Sequence, residues 1–320
     1  MRLPASLVAG LTLFCIAAGG SAGARAHRAP NSVAFWNPHV GLIGLGTCRS
    51  LCVHGAIALT KDGGKTSHVV FSTDEDALVA SARGARTAWI VTRRCSTNEC
   101  QNDHLFVTHD RGRHWHFVAD RPPRALDFAT ARLGMGVAGG NPYANGPTGI
   151  VVTRDGGRSW HHVHSPCRGW TRGASVSFPL PARAWALCTG EGGVGSEEKA
   201  VYESRDQGRT WRARAETIVF GHRRFHGGIS FYGYPLGISL ASDGGGLLWE
   251  GRGTLYSTRD GGRHWHQHLR VAEPEADFGI SGWSLLGGDG FVLLQRLPRI
   301  KLVAHMDGRW NVRRRWMLGP

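Results

Sequence analysis

Three carboxylates fall in one tripeptide, Asp74-Glu75-Asp76, and further acids stand at Glu191, Glu275 and Asp277. Hydrolysis of a glycosidic bond needs little more than two acids at a suitable separation. Asp74, Asp76 and Glu191 are therefore the candidate catalytic residues. Arg124, Tyr143, Trp170, Arg172, Arg223 and Arg224 stand in similar polar, glycine-rich stretches and are candidate ligand-binding residues. Surface loops that carry charge and aromatic rings are where binding usually resides. No GxSxG elbow, HExxH helix or phosphate-binding Gly-rich loop occurs, so no catalytic motif points to a reaction.

His264, His266 and His268 alternate, as do His114 and His116. On a strand such side chains share a face and imidazole pairs can hold a metal. The strands concerned are expected at an outer sheet edge, facing water, so neither a metal nor a cofactor is expected.

Glycine accounts for 46 of 320 residues, and the glycines separate short apolar runs. That pattern requires many turns and disfavours a helical bundle. With 41% hydrophobic residues and 12 Trp the chain can bury a sizeable core, which excludes a disordered protein.

The formal charge of +14 suits an anionic partner. The arginines are scattered through turns, not gathered into a stripe, so nucleic acid is not expected, and an anionic glycan or wall polymer fits better. Residues 1–26 read as a secretory leader: Arg2, the apolar run from Leu3 to Ala18, and an Ala24-Arg25-Ala26 cleavage signal. Removing it with Arg2 and Arg25 leaves +12. The apolar run is short for a membrane span, and no later stretch qualifies. An extracellular single domain over 27–320 is expected.

Six cysteines remain after the leader, an even number suited to an oxidising compartment. Cys48 with Cys52 and Cys95 with Cys100 are spaced as hairpin staples, leaving Cys167 and Cys188 to bridge within one repeat. A four-cysteine zinc site would want C-x2-C spacing, which is absent.

The elements that must position these groups follow from a repeat. Ser or Thr, any residue, Asp, any, Gly, any, a small or polar residue, then Trp, recurs around Asp62, Asp110, Asp155, Asp206 and Asp260. The first copy has Ser67 in place of Trp. A shortened sixth copy reads His305-Met306-Asp307-Gly308-Arg309-Trp310. Asp closes a turn through backbone N–H groups, Gly supplies a positive φ, and Trp wedges the re-entering strand. Extended runs flank each copy, and two more precede it, as in 125–129 and 134–138. Four-stranded units at near-50-residue spacing stack radially into a β-propeller. Six blades are expected, or seven if the long interval from Asp206 to Asp260 hides a degenerate one.

These motifs resemble the Asp-box (BNR) repeats of sialidases, related glycosidases, sortilin-type receptors and photosystem II assembly-factor-like propellers. The resemblance implies that the five aspartates are structural and that a site lies on the opposite face. It also implies a Phe-Arg-Ile-Pro stretch for sialidase activity, and here Phe35-Trp36-Asn37-Pro38 has Trp for Arg, which cannot grip a carboxylate. The expectation is a secreted, non-catalytic propeller that binds an extracellular glycan or protein. A divergent sialidase-like glycoside hydrolase is the alternative, and an assembly or stability factor for a membrane-associated complex the second.

Overall fold

The computed structural model describes residues 28–317 except 47, 50, 53, 96–99, 124, 139–148, 171–172, 194, 220–223, 251–253, 269–278, 287–288, 297–298 and 307–308. Six antiparallel sheets, each cut from one contiguous stretch of chain, account for nearly all of it. No helix among the described residues is long and apolar enough to cross a membrane.

Blade 1 is β1 (Ala29–Phe35), β2 (Gly41–Gly46), β5 (Ala56–Thr60) and β6 (His68–Ser72). A small hairpin of β3 (Cys48–Arg49) and β4 (Leu51–Cys52) sits between its second and third strands. Blade 2 is β7 (Asp76–Arg83), β8 (Thr87–Cys95), β9 (Cys100–Thr108) and β10 (His116–Asp120). Blade 3 is β11 (Ala125–Phe128), β12 (Gly134–Ala138), β13 (Gly149–Thr153) and β14 (His161–Val163). Blade 4 is β15 (Gly173–Leu180), β16 (Arg183–Gly193), β17 (Ser196–Ser204) and β18 (Arg212–Ile218), with β19 (Arg224–His226) added outside. Blade 5 is β20 (Pro235–Leu240), β21 (Gly246–Glu250), β22 (Leu255–Thr258) and β23 (His266–His268). Blade 6 is β24 (Gly279–Leu286), β25 (Asp289–Arg296), β26 (Arg299–Met306) and β27 (Arg309–Met317).

The first strands contact one another in order around an axis, and β24 closes on β1. The fold is a six-bladed β-propeller with four antiparallel strands per blade. The long interval after Asp206 holds no seventh blade. It is taken up by β19 and the turn that follows it, residues 227–234.

A single sheet cannot bury two faces, so the core is made between sheets. Six apolar clusters each join two consecutive blades, one per junction. An aromatic ring from a second strand stacks on one from the next blade's first strand: Trp89 on Phe128 at 3.7 Å, and Phe291 on Phe35 at 3.6 Å. The second of these pairs lies between blades 6 and 1, so the ring closes by the packing that joins its interior blades. Two contacts reinforce that seam. Gly64 lies so close to Leu302 that a Cβ would fall 2.2 Å from its Cδ2. Arg314 Nη1 donates to Ser67 Oγ at 2.8 Å, filling the place where other turns carry Trp.

Polar groups on the first strands stitch neighbours together near the axis. Backbone N–H groups of Phe35, Phe128, Phe178 and Leu240 donate to Ser284, Ser81, Asp127 and Ser177 of the preceding blade, at 2.7–3.3 Å.

The five aspartate turns join third to fourth strands and are built alike. In each, a Thr or Ser hydroxyl donates to Asp Oδ1 at 2.7–2.9 Å and accepts from a glycine N–H four residues on, as Thr153 does from Gly157 at 2.9 Å. The Asp accepts the N–H four residues later, Ser159 in the third turn, at 3.0 Å. The glycine two residues after each Asp, Gly64, Gly112, Gly157, Gly208 and Gly262, has positive φ, between 83° and 101°. At the sixth copy Met306 pairs with Arg309, and Trp310 is 36% exposed beside His305. Asp307 and Gly308 lie outside the described residues.

Candidate functional site

Connections between third and fourth strands and between first and second strands emerge on one face, called here the box face. Those between second and third strands and from blade to blade emerge on the other, the loop face. On the loop face, the end of blade 2 carries an ion-pair network. Arg93 makes a two-pronged contact with Asp103, its Nη2 at 2.9 Å from Oδ2. Glu75, nearly buried, accepts the Thr92 hydroxyl at 2.6 Å and lies 3.8 Å from Arg94 Nε and 3.7 Å from His104 Nε2. His104 Nδ1 meets Asp120 at 2.6 Å.

Of the acids singled out from sequence, Asp76 enters this network. It opens β7 opposite Arg93 in register, and accepts from Asn31 Nδ2 at 2.9 Å and from the Ala77 N–H at 3.0 Å. Burial raises its pKa above the ordinary value, against the lowering by Ala77, Arg93 and Asn31. Asp74 is exposed, 4.0 Å from Arg94. Glu191 is exposed near the end of β16, two blades away, so the structure does not join it to the other two.

Trp170 is half-buried against the blade 3–4 core, where its backbone N–H donates to Cys167 O at 3.1 Å. Arg124, Tyr143, Arg172 and Arg223 lie outside the described residues, as do Glu275, Asp277 and the side chain of Arg224. Cys167 and Cys188 are bonded, tying the blade 3–4 connection to β16. In the backbone register Cys48 pairs with Cys52 and Cys95 with Cys100. Their side chains are outside the described residues.

Trp36 lies at the box face with its indole N–H on Thr87 O at 2.7 Å, joining blades 1 and 2. His114 and His264 are parts of the box turns, with Nδ1 2.5 and 2.6 Å from Asp110 and Asp260. No metal-holding cluster of three His, Cys, Asp or Glu occurs among the described residues.

Two polar sites had no signal in the sequence, because their partners are distant in the chain. One is Lys199, wholly buried, with its ammonium on Glu250 and at 3.3 Å from the carbonyls of Tyr232 and Gly233. Burial lowers the Lys199 pKa and raises that of Glu250, in each case against the attraction of the partner. The other is Asp127, at a cavity of about 250 Å3 on the axis, towards the box face. Asp127 accepts from Arg83 Nη2 at 2.7 and 2.8 Å, Ser81 Oγ at 2.8 Å, and the N–H groups of Phe128 and Phe178 at 2.9 and 2.7 Å. Serines and Trp283 complete the lining. Such a cavity can seat a small polar ligand against one ring and several hydroxyls.

No protein-family model and no curated protein matches the sequence. Solved structures match it through the fold. Trypanosoma rangeli sialidase with 2,3-difluorosialic acid has a TM-score of 0.54 at 10% identity, over 90% of this chain and 53% of that one. The Hadza microbial sialidase Hz136 has 0.53 at 14%, over 82% and 62%. The GH74 xyloglucanase of Xanthomonas campestris has 0.52 at 14%, over 90% and 45%. The chain thus spans about half to three-fifths of these proteins. At such identities the likeness shows the β-propeller fold alone.

Proposed function

We propose that the protein is a secreted Asp-box propeller that binds an extracellular glycan or protein without catalysing a reaction on it. The observation that supports this is the state of Asp127, the one carboxylate among the described residues lining the axial cavity. A two-acid hydrolase needs a second acid across the cleft and a free oxygen on each, whereas both oxygens of Asp127 are taken up by a guanidinium, a hydroxyl and two backbone donors. Glu191 stands two blades away from Asp74 and Asp76, and Asp76 is engaged by Asn31 and the Ala77 N–H. One observation favours the hydrolase alternative: burial holds Asp76 towards its protonated form, as a general acid requires.

The deciding experiment incubates purified mature protein with a panel of chromogenic glycosides, alongside Asp74→Asn, Asp76→Asn and Glu191→Gln. No turnover, together with a rise in Tm on adding one glycan or peptide ligand, supports binding. Turnover abolished by any one of these changes overturns it in favour of the hydrolase.

A further inference from the structure

Basic residues that are far apart in the sequence meet on one face. Every aspartate turn exposes two cations, such as Arg154 and Arg158 around Asp155, and Arg259 and Arg263 around Asp260. Because each turn occupies the same place in its blade, the five pairs form an arc around the axis. Arg86 and Arg132, in the first-to-second-strand connections of blades 2 and 3, are exposed on the same face. Each turn sets two cations against the single charge of its aspartate, whose oxygens are bonded within the turn, so every turn keeps a positive surplus.

Blade 4 adds a rigid node. Arg183, Arg205 and Arg214 converge on the single buried carboxylate of Glu203, with Arg183 Nε at 2.6 Å and Arg205 Nε at 3.4 Å. Three guanidiniums share one acid, leaving two positive charges in surplus. Arg214 is 94% buried by its 6% exposure and its Nε has no partner. Arg183 is also stacked over Trp185 at 4.6 Å, which fixes its outward nitrogens in place. The loop face of blade 2 has the opposite sign, with Asp74, Glu75, Asp76, Asp103 and Asp120 against Arg93 and Arg94.

We propose that the box face is a docking surface for an anionic polysaccharide, one that repeats a carboxylate or sulfate along its length. An arc of exposed cations matches a polymer of regular charge, and fixed guanidiniums suit carboxylate and sulfate oxygens. A lipid surface or a single-stranded nucleic acid would want apolar or aromatic groups among the cations. Among the described residues the exposed large apolar side chains towards this face, Val69, Phe117, Leu180 and Trp310, are scattered over four strands of four different blades and form no patch among the cations. The box tryptophans are turned inward, Trp160, Trp211 and Trp265 each donating to a glycine carbonyl of its own turn at 3.0–3.1 Å. This inference rests on the reading of the protein as a binder of extracellular glycan and assigns that binding to the box face.

The test measures binding of the mature protein to heparin and polygalacturonate across a salt series, with neutral dextran as control. Two triple variants remove equal charge: Arg154→Gln, Arg158→Gln and Arg263→Gln on the box face, and Arg94→Gln, Arg121→Gln and Arg168→Gln on the loop face. All six side chains are exposed, and unchanged Tm values verify folding. The expected result is a tenfold or greater loss of affinity and a shallower salt dependence for the first variant, and less than a twofold change for the second. Equal losses would reduce the effect to net charge and overturn the proposal. So would no binding by the unaltered protein, equal binding to dextran, or tighter binding to an oligonucleotide or to phosphatidylserine vesicles. Glycoside turnover and the axial ligand are read separately, so failure here leaves the other reading intact.

Discussion

The aspartate turns and the polar contacts between blades hold the propeller together over different distances along the chain. On the box face each turn is closed by bonds two and four residues long, repeated five times with nearly the same lengths, as Thr153 and Ser159 show around Asp155. Between blades the partners come from far away on either face: Asn31 reaches Asp76 across 45 residues and Lys199 reaches Glu250 across 51 towards the loop face, and Trp36 reaches Thr87 across 51 at the box face. The contrast teaches that local order in a propeller can be repeated as a module, while the groups that differ from blade to blade are placed by the ring as a whole.

The severest challenge to that contrast is removal of one partner of a long-range pair. Lys199→Ala leaves Glu250 buried and unpaired, and the expected cost is about 3–5 kcal/mol, read from urea unfolding. The double change Lys199→Met with Glu250→Leu should recover most of it. A cost below about 1 kcal/mol for the single change would show that the pair does not hold the loop face. Next in size is the Cys167–Cys188 bond, which closes a 21-residue separation. Cys188→Ser should cost roughly 3 kcal/mol by the same measurement, with the loss reproduced by reducing the unaltered protein.

A smaller and more uniform effect belongs to the box face. Thr108→Val, Thr153→Val and Thr258→Val each remove a hydroxyl shared between an Asp and a glycine N–H, for about 1–2 kcal/mol each. Because the turns are local, the three values should agree with one another and add when combined. Unequal or coupled values would blur the distinction between the turns and the contacts between blades.

The smallest expected effect is acid sensitivity. Bonds from the Thr210 hydroxyl and N–H hold the Asp206 pKa at about 2. Partial burial pushes Asp62 and Asp260 up, but the bonds from Thr66 and His264 and their neighbours outweigh it and leave both at about 2. A carboxylate lowered in the folded state stabilises above its unfolded pKa of about 3.9, and the gain is lost as pH falls through the folded value. Melting temperature should therefore decline between about pH 4 and pH 2. Thr210→Ala should make the Asp206 share of that decline smaller, since its carboxylate then titrates closer to the unfolded value.

The sequence carries the modules openly. The spacing of Asp62, Asp110, Asp155, Asp206 and Asp260 divides the chain into about six units, with seven left open by the long interval after Asp206, and the hydroxyl before each Asp and the glycine after it state the turn. The seam was hidden, because Phe35 and Phe291 lie near opposite ends of the chain and nothing local marks them as a stacked pair. The loop-face network was half legible: Asp74-Glu75-Asp76 announces charge, but the choice of Arg93 for Asp103 and Thr92 for Glu75 depends on strand register. Lys199 and Asp127 gave no signal at all: Lys199 closes the polar run Ser196-Glu197-Glu198 and Asp127 is one polar residue in an apolar stretch, and each finds its partner only on a neighbouring blade. The arginines look dispersed because they recur once per blade, and that same period is what gathers them onto one face.

The junction of Phe35 with Phe291 makes the first and last sheets ordinary neighbours, with no strand exchanged between them. Blade 1 begins at the axis with β1, and blade 6 ends at the rim with β27, the same relation that β6 has to β7 across residues 73–75. The ring therefore has no privileged starting sheet. A circularly permuted chain, with Met317 linked to Ala29 and new termini opened between Arg121 and Pro122, asks for no connection that the molecule does not already make elsewhere.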